Sequence, residues 1–182
     1  MQAPGLEKYC KLAVEKAATD AKQIHPSTVV TAEWVRWKCH FGCPEYGKGH
    51  MCPPDSPTPE QTRALLDCYN RAILFHLEAP KTPDRWEISK KYTDMLIDLE
   101  AEMFKDGYYK AFVLLVGPCR ICKAGECAKL RGDYCTFGYR ARPCMEACGI
   151  DVFQTARNNG FYIITLKERA ETRNLYCLML VD

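Results

Sequence analysis

Nine of the twelve cysteines in this 182-residue chain fall in two short windows. The first reads Cys39-His-Phe-Gly-Cys43-Pro-Glu-Tyr-Gly-Lys-Gly-His-Met-Cys52-Pro-Pro, three thiols spaced C-x3-C-x8-C. The second holds Cys119, Cys122, Cys127, Cys135, Cys144 and Cys148 and opens as C-x2-C-x4-C-x7-C. Thiolates are soft donors, and so many of them in loops marked by Gly and Pro form the ligand set of a soft metal centre.

Spacing separates the candidate metals. A structural zinc ion wants two tight pairs converging on a tetrahedron. Only Cys119-Arg-Ile-Cys122 is such a pair, and the remaining intervals are longer. A [4Fe–4S] cluster is wider than one ion, and longer intervals suit it. Pro44, Pro53, Pro118 and Pro143 flank the cysteines, as prolines do beside cluster ligands. Iron–sulfur is therefore the leading reading and zinc the alternative. Cys119, Cys122, Cys127 and Cys135 make a complete set of four. Cys39, Cys43 and Cys52 make three. Their fourth corner is open to Cys144, Cys148, His40, His50 or a small ligand, and an open iron is a Lewis acid. Cys10, Cys68 and Cys177 sit in helical or strand patterns and read as core thiols. His76 reads as structural, His25 as a turn residue, and His40 and His50 as hydrogen-bond partners beside the ligands.

Composition narrows the setting. With 25 Lys and Arg against 23 Asp and Glu the net charge is +2, no field for collecting nucleic acid. No apolar run approaches the roughly 20 residues of a membrane span, and Met1–Tyr9 has no secretory pattern. A cytoplasmic protein is expected, where clustered thiols serve as metal or redox groups and not as disulfides. Around the second window Arg120, Lys123, Lys129, Arg131, Arg140 and Arg142 outnumber Glu126 and Asp133. Such a patch would raise a cluster's potential or dock an acidic redox protein partner. No phosphate loop, nucleophile elbow or His-Glu-x-x-His is present.

The elements that must position these thiols follow from periodicity. A first helix is expected over residues 4–23, and a strand over Val29–Lys38 leading into Cys39. Thr58-Pro-Glu-Gln61 is a capping box opening a helix to about Asn70. Ala72–Leu77 reads as a strand, and Thr82-Pro83 opens a helix closed by Asp106-Gly107. Ala111–Val116, apolar on both faces, reads as a central strand. A helix over Glu146–Asn158 and strands at Phe161–Leu166 and Asn174–Val181 complete the chain. The order predicts one domain over 1–182, an α/β sandwich with a mostly parallel central sheet and cysteine-rich loops at 39–54 and 117–148, at strand C-terminal ends.

Three segments, Trp37-Lys-Cys-His-Phe-Gly-Cys-Pro-Glu-Tyr-Gly-Lys-Gly-His-Met-Cys-Pro-Pro54, Gly117-Pro-Cys-Arg-Ile-Cys122 and Arg142-Pro-Cys-Met-Glu-Ala-Cys-Gly-Ile-Asp-Val152, resemble a family of cysteine-rich prokaryotic predicted metal-binding proteins, filed as a domain of unknown function. The resemblance covers nearly the whole chain. It implies metal binding, iron–sulfur above all, in largely anaerobic organisms, and supplies no reaction. It makes Cys148 a better fourth ligand than Cys144 for the Cys39, Cys43 and Cys52 set. The function expected is an oxygen-sensitive [4Fe–4S] protein with one or two clusters, transferring electrons for a larger redox enzyme system. An enzyme with an open-site cluster binding substrate or sulfide is the alternative, and a zinc-stabilised binding module is the third.

Overall fold

A computed structural model describes residues 5–122, 126–168 and 171–182, with the side chains of Arg85 and Trp86 excepted. The expected helix start at residue 4 and the basic Lys123 lie outside the described residues.

Strand β1 (Asp20–Ile24), β2 (Ala72–Ala79), β3 (Phe112–Leu114) and β4 (Arg173–Leu180) form one four-stranded sheet in the order β1-β2-β4-β3. Every ladder is antiparallel: β1 with β2 through Lys22↔Leu74, β2 with β4 through Phe75↔Cys177, and β3 with β4 through Val113↔Met179. The expected mostly parallel sheet is therefore overturned. The cause lies in the last strand. Helix α4 (Arg85–Lys105) does carry the chain between two strands of like direction, β2 and β3, as a βαβ pattern requires. But β4 returns from the C-terminus and inserts between them, reversing every pairing.

Three element assignments change with it. Helix α1 spans Glu7–Lys16 only, because residues 20–24 leave the Ala-rich helical run to pair with β2. Val29–Lys38 contains no long strand; Glu33–Gly42 is helix α2. Its Trp and Val content favours strands, but Trp34, Trp37 and Phe41 are spaced i, i+3, i+7 along one helical face. Phe161–Leu166 forms no strand. The capping box holds: Thr58 Oγ1 accepts from Gln61 N at 3.2 Å, Gln61 Oε1 accepts from Thr58 N at 2.9 Å, and α3 runs Pro59–Leu66. The expected helix over Glu146–Asn158 divides into a 3₁₀ turn at Glu146–Cys148 and α5 at Val152–Asn158, broken at Gly149.

Both sheet faces are covered. Ile73, Phe75, Cys177 and Met179 pack on one face with Tyr9 of α1 and Tyr92, Leu96 and Met103 of α4. Leu74, Leu178, Leu180 and Leu114 pack on the other with Leu66, Met145, Ile150 and Ala156. Strand β3 is apolar on both sides for that reason and not because it is central; it is an edge strand. Its open edge is closed by the second window's return, where Leu115 N donates to Pro143 O and Met145 N donates to Leu115 O, both at 2.9 Å.

Candidate metal centre

Helix α2 delivers the first thiols. Cys39 lies in its last turn and Cys43 is its C-cap, with Cys43 N donating to Cys39 O at 3.2 Å. Cys52 follows in a run of turns whose Gly47 N returns to Pro53 O at 2.8 Å. Arg36, one turn before Cys39 and two before Cys43, fastens this loop to the rest of the molecule. One of its guanidinium nitrogens donates to Ser56 O, Pro57 O and Ala147 O at 3.2, 2.6 and 2.7 Å. The Ser56 hydroxyl donates to the same Ala147 O at 2.8 Å. Three backbone carbonyls that no helix or strand would satisfy are thus held by one cation and one hydroxyl.

The three thiols act on one another. Burial, and then the neighbouring Cys43, raises the Cys39 pKa; burial pushes Cys52 up to about 11, with Cys43, Glu45, Cys39 and Cys119 adding to it. Cys39 and Cys52, held toward the neutral form, are costly to ionise until a cation supplies the missing charge.

The second window leaves β3 through Gly117-Pro118 and holds its thiols in irregular chain. Cys119, Cys122, Cys127 and Cys135 line one cavity of about 380 Å³, and Cys52 of the first window lines it too. Cys119 is raised by burial and by Cys122, Cys135 and Cys127. Cys122 is raised by desolvation and by Cys127 and Cys135. Ile121, Leu130 and Phe137 complete the apolar part of the wall. The two windows are sewn together at the rim. Lys129 Nζ meets Asp55 Oδ2 at 2.6 Å, and His50 Nε2 lies 2.8 Å from Asp133 O.

Four cations of the basic patch have carboxylate partners: Arg131 with Asp133, Arg140 with Asp98, Arg142 with Glu100 and Lys129 with Asp55. Arg142 and Glu100 are largely buried, and Glu100 Oε2 also accepts from Val113 N at 2.7 Å. That pair ties the second window's return to helix α4 and strand β3.

Cys148 and Cys144 lie elsewhere. Cys148 is 1% exposed and packs among Leu74, Ile150 and Met145. Burial pushes it up to about 12, and the charges acting on it are those of Arg36 and Glu146. Cys144 is buried, its Sγ accepting from Ala147 N at 3.3 Å. The structure thus draws Cys39, Cys43 and Cys52 together, and Cys119, Cys122, Cys127 and Cys135 together, with Cys148 in the core behind the first set. His40 turns its ring against Phe41 and Tyr46. His76 pairs with Asn174, and His25 caps a 3₁₀ turn. Cys177 is buried and Cys10 packs on the α1 side of the core, but Cys68, expected inside, is exposed with its Sγ donating to Ala64 O. Among the described residues no three His, Cys, Asp or Glu side chains approach closely enough to hold a single ion.

Two participants escape sequence reasoning. One is Arg36, an ordinary basic residue until its three carbonyls are seen. The other is the wall beside Cys39 and Cys43, where Trp34, Trp37 and Phe41 line a large apolar cleft. Its signal is present as an i, i+3, i+7 stripe that strand propensity hides.

No helix among the described residues is long and apolar enough to cross a membrane. No curated protein and no solved structure matches this chain. The family described as predicted metal-binding protein (DUF2284) matches residues 22–181, a span that takes in both cysteine windows and the Arg36 clamp, and the chain belongs to that family.

Proposed function

We propose that this is an iron–sulfur protein in which Cys119, Cys122, Cys127 and Cys135 hold a [4Fe–4S] cluster used for electron transfer. The observation that carries the reading is four thiols around one cavity of about 380 Å³, spread too widely for a single ion. Cys52, His50 and Glu45 share that wall, but four thiolates spread along one loop match the chemistry of a cubane better than that of zinc, which wants one tight tetrahedron. When bound, such a cluster supplies a one-electron couple. The chain supplies its ligands and, through Ile121, Leu130 and Phe137, a wall that limits water. Cys122 and Cys127 are partly exposed, so the centre stands near the surface, where a redox protein partner can reach it.

A second reading is favoured by the first window. Cys39, Cys43 and Cys52 are three, and Cys39 and Cys43 line the apolar cleft. A centre on those thiols, with Cys148 retained in the core, has one position that the cysteines leave to a substrate.

Iron, acid-labile sulfide and zinc measured on anaerobically purified protein test both readings. About eight iron and eight sulfide per chain are expected, with a reversible redox couple. Stoichiometric zinc without sulfide, or no reversible couple, removes the electron-transfer reading.

A further inference from the structure

Beside α2 the molecule opens a cleft of about 880 Å³, within the range of small-molecule sites. Trp34, Trp37 and Phe41 line it from α2, and Val152 and Ile163 line it from α5 and the segment that follows. The α2 wall faces water at a cost. Trp34, Trp37 and Phe41 are 47%, 64% and 75% exposed, and the Trp37 and Phe41 rings stand 5.7 Å apart. Three large aromatic side chains left uncovered beside an open cleft mark a binding surface. Their flat faces suit a flat ring, which can stack on them.

Charge narrows the kind of ring. Among the residues that line the cleft Lys38 is the one cation. Its ammonium stands 5.0 Å from the Trp34 ring centroid, held over the aromatic wall, and among the described residues no carboxylate pairs with it. Two acids line the cleft as well, and neither answers Lys38. Asp151 caps α5, its carboxylate accepting from Gln154 N at 2.9 Å. Glu146 keeps its Oε2 sealed from solvent and so closed to anything in the cleft. An apolar space with aromatic walls and one unanswered positive charge complements a flat apolar body that carries one negative charge.

We propose that this cleft binds a small planar aromatic anion, an aryl carboxylate by class, with its ring on the Trp34, Trp37 and Phe41 wall and its charged group at Lys38. Binding is reversible and changes no bond. The inference goes beyond the metal-centre readings and depends on neither of them, since no thiol takes part in it.

The test is equilibrium dialysis of the purified protein against 2-naphthoate, with tryptophan fluorescence as a second readout. The neutral 2-naphthamide keeps the ring and removes the charge; acetate keeps the charge and removes the ring. One naphthoate per chain is expected. Naphthamide should need about three- to tenfold higher concentration for half-saturation, as loss of a partly solvated charge contact implies. Acetate should be weaker by about tenfold or more, as loss of a buried aromatic ring implies. Lys38 and Trp37 are both exposed, so changing them leaves folding intact. Lys38→Gln should erase the preference for naphthoate and leave naphthamide as it was, and Lys38→Arg should keep the preference. Trp37→Ser should weaken naphthoate and naphthamide alike by about tenfold.

Equal affinity for naphthoate and naphthamide, or a preference that survives Lys38→Gln, overturns the proposal. Binding indifferent to Trp37→Ser overturns it as well. So does a wild-type dimer in sedimentation that Trp37→Ser dissociates, because a second copy would then cover the wall.

Discussion

The two cysteine windows differ in how the chain holds them and in what surrounds them. The first is mounted on a helix end, has three thiols, and stands against an apolar cleft with uncovered aromatic rings. The second is irregular chain with four thiols around a smaller cavity, and four cations of the same window are paired with carboxylates. The contrast teaches that the two windows are not duplicates: under the function proposed above, the four-thiol window would hold a closed centre that passes charge, and the three-thiol window would leave one position open. Cys52, which belongs to the first set and lines the cavity of the second, is the place where they touch.

The largest effect should come from breaking one set at a time. Cys122→Ala removes a thiol from the four, and about four iron and four sulfide per chain should be lost while the remainder stays. Cys43→Ala should remove the complementary half. Metal analysis of the two variants beside wild type reads both outcomes. If either variant strips all the metal, the windows share one centre and the contrast between them fails.

The supports can be broken in parallel. Glu100→Ala leaves the Arg142 guanidinium without its carboxylate and Val113 N–H without an acceptor, beneath the second window. Removing one partner of a buried pair costs about 3–5 kcal/mol, to be seen as a lowered urea midpoint. Gly149 serves the first window. It has φ +75°, and a Cβ there would come within 3.2 Å of Pro59 Cα and closer still to its ring. Gly149→Ala should cost about 1–3 kcal/mol from backbone strain, before Pro59 is made to move. Loss of first-window metal is expected with it, since Pro59 and Ala147 flank the Arg36 clamp. Retention of that metal would show that the clamp does not depend on the Gly149 turn.

How much of this was legible follows from where each signal lies. The Thr58 capping box, the β2 strand and the turn at Asp106-Gly107 are local, and local chemistry decided them. The two cysteine windows were legible as well, because thiol spacing and proline are written in sequence. What failed was partnership at long range. β1 hides in an Ala-rich segment that only its ladder with β2 makes a strand. β3 looked central because both its faces are apolar, and nothing local records that β4 would insert beside it. α2 carried strand-forming residues, and only its helical stripe marked the wall of the cleft. Fold class therefore misled while the cysteine windows stood out, since thiol spacing is local and sheet order is not.

Cys148 decides whether the first set is three or four. As a buried thiol raised by its burial to about 12, it stays protonated in the folded chain while the unfolded chain ionises it near the ordinary thiol value. The stability it contributes is therefore complete below that value and is lost as pH rises, by about 1.4 kcal/mol for each pH unit. Denaturation of the metal-bound protein at pH about 8 and about 9.5 should show this alkaline loss, and Cys148→Ala should lessen its slope with metal content unchanged. A thiolate ligand has no proton to lose there. If Cys148→Ala leaves the slope alone and strips the first window of metal, that set has four members and the open site disappears.

The smallest effect concerns the seam itself. Asp55 sits in the first window and takes Lys129 of the second at 2.6 Å, with His50 Nδ1 at 3.8 Å. Asp55→Asn removes the charge and keeps the shape. Both side chains of the Lys129 pair are partly exposed, so the loss in stability should be only about 0.2–1 kcal/mol and should shrink with added salt. The more telling readout is at the thiols. Cys52 lies on the cavity wall that this seam closes, so loosening it should speed release of second-window metal to a chelator while the first window's rate stays as it was. Equal acceleration in both windows would mean that the seam holds one joint structure, and that the division between a closed and an open centre is drawn in the wrong place.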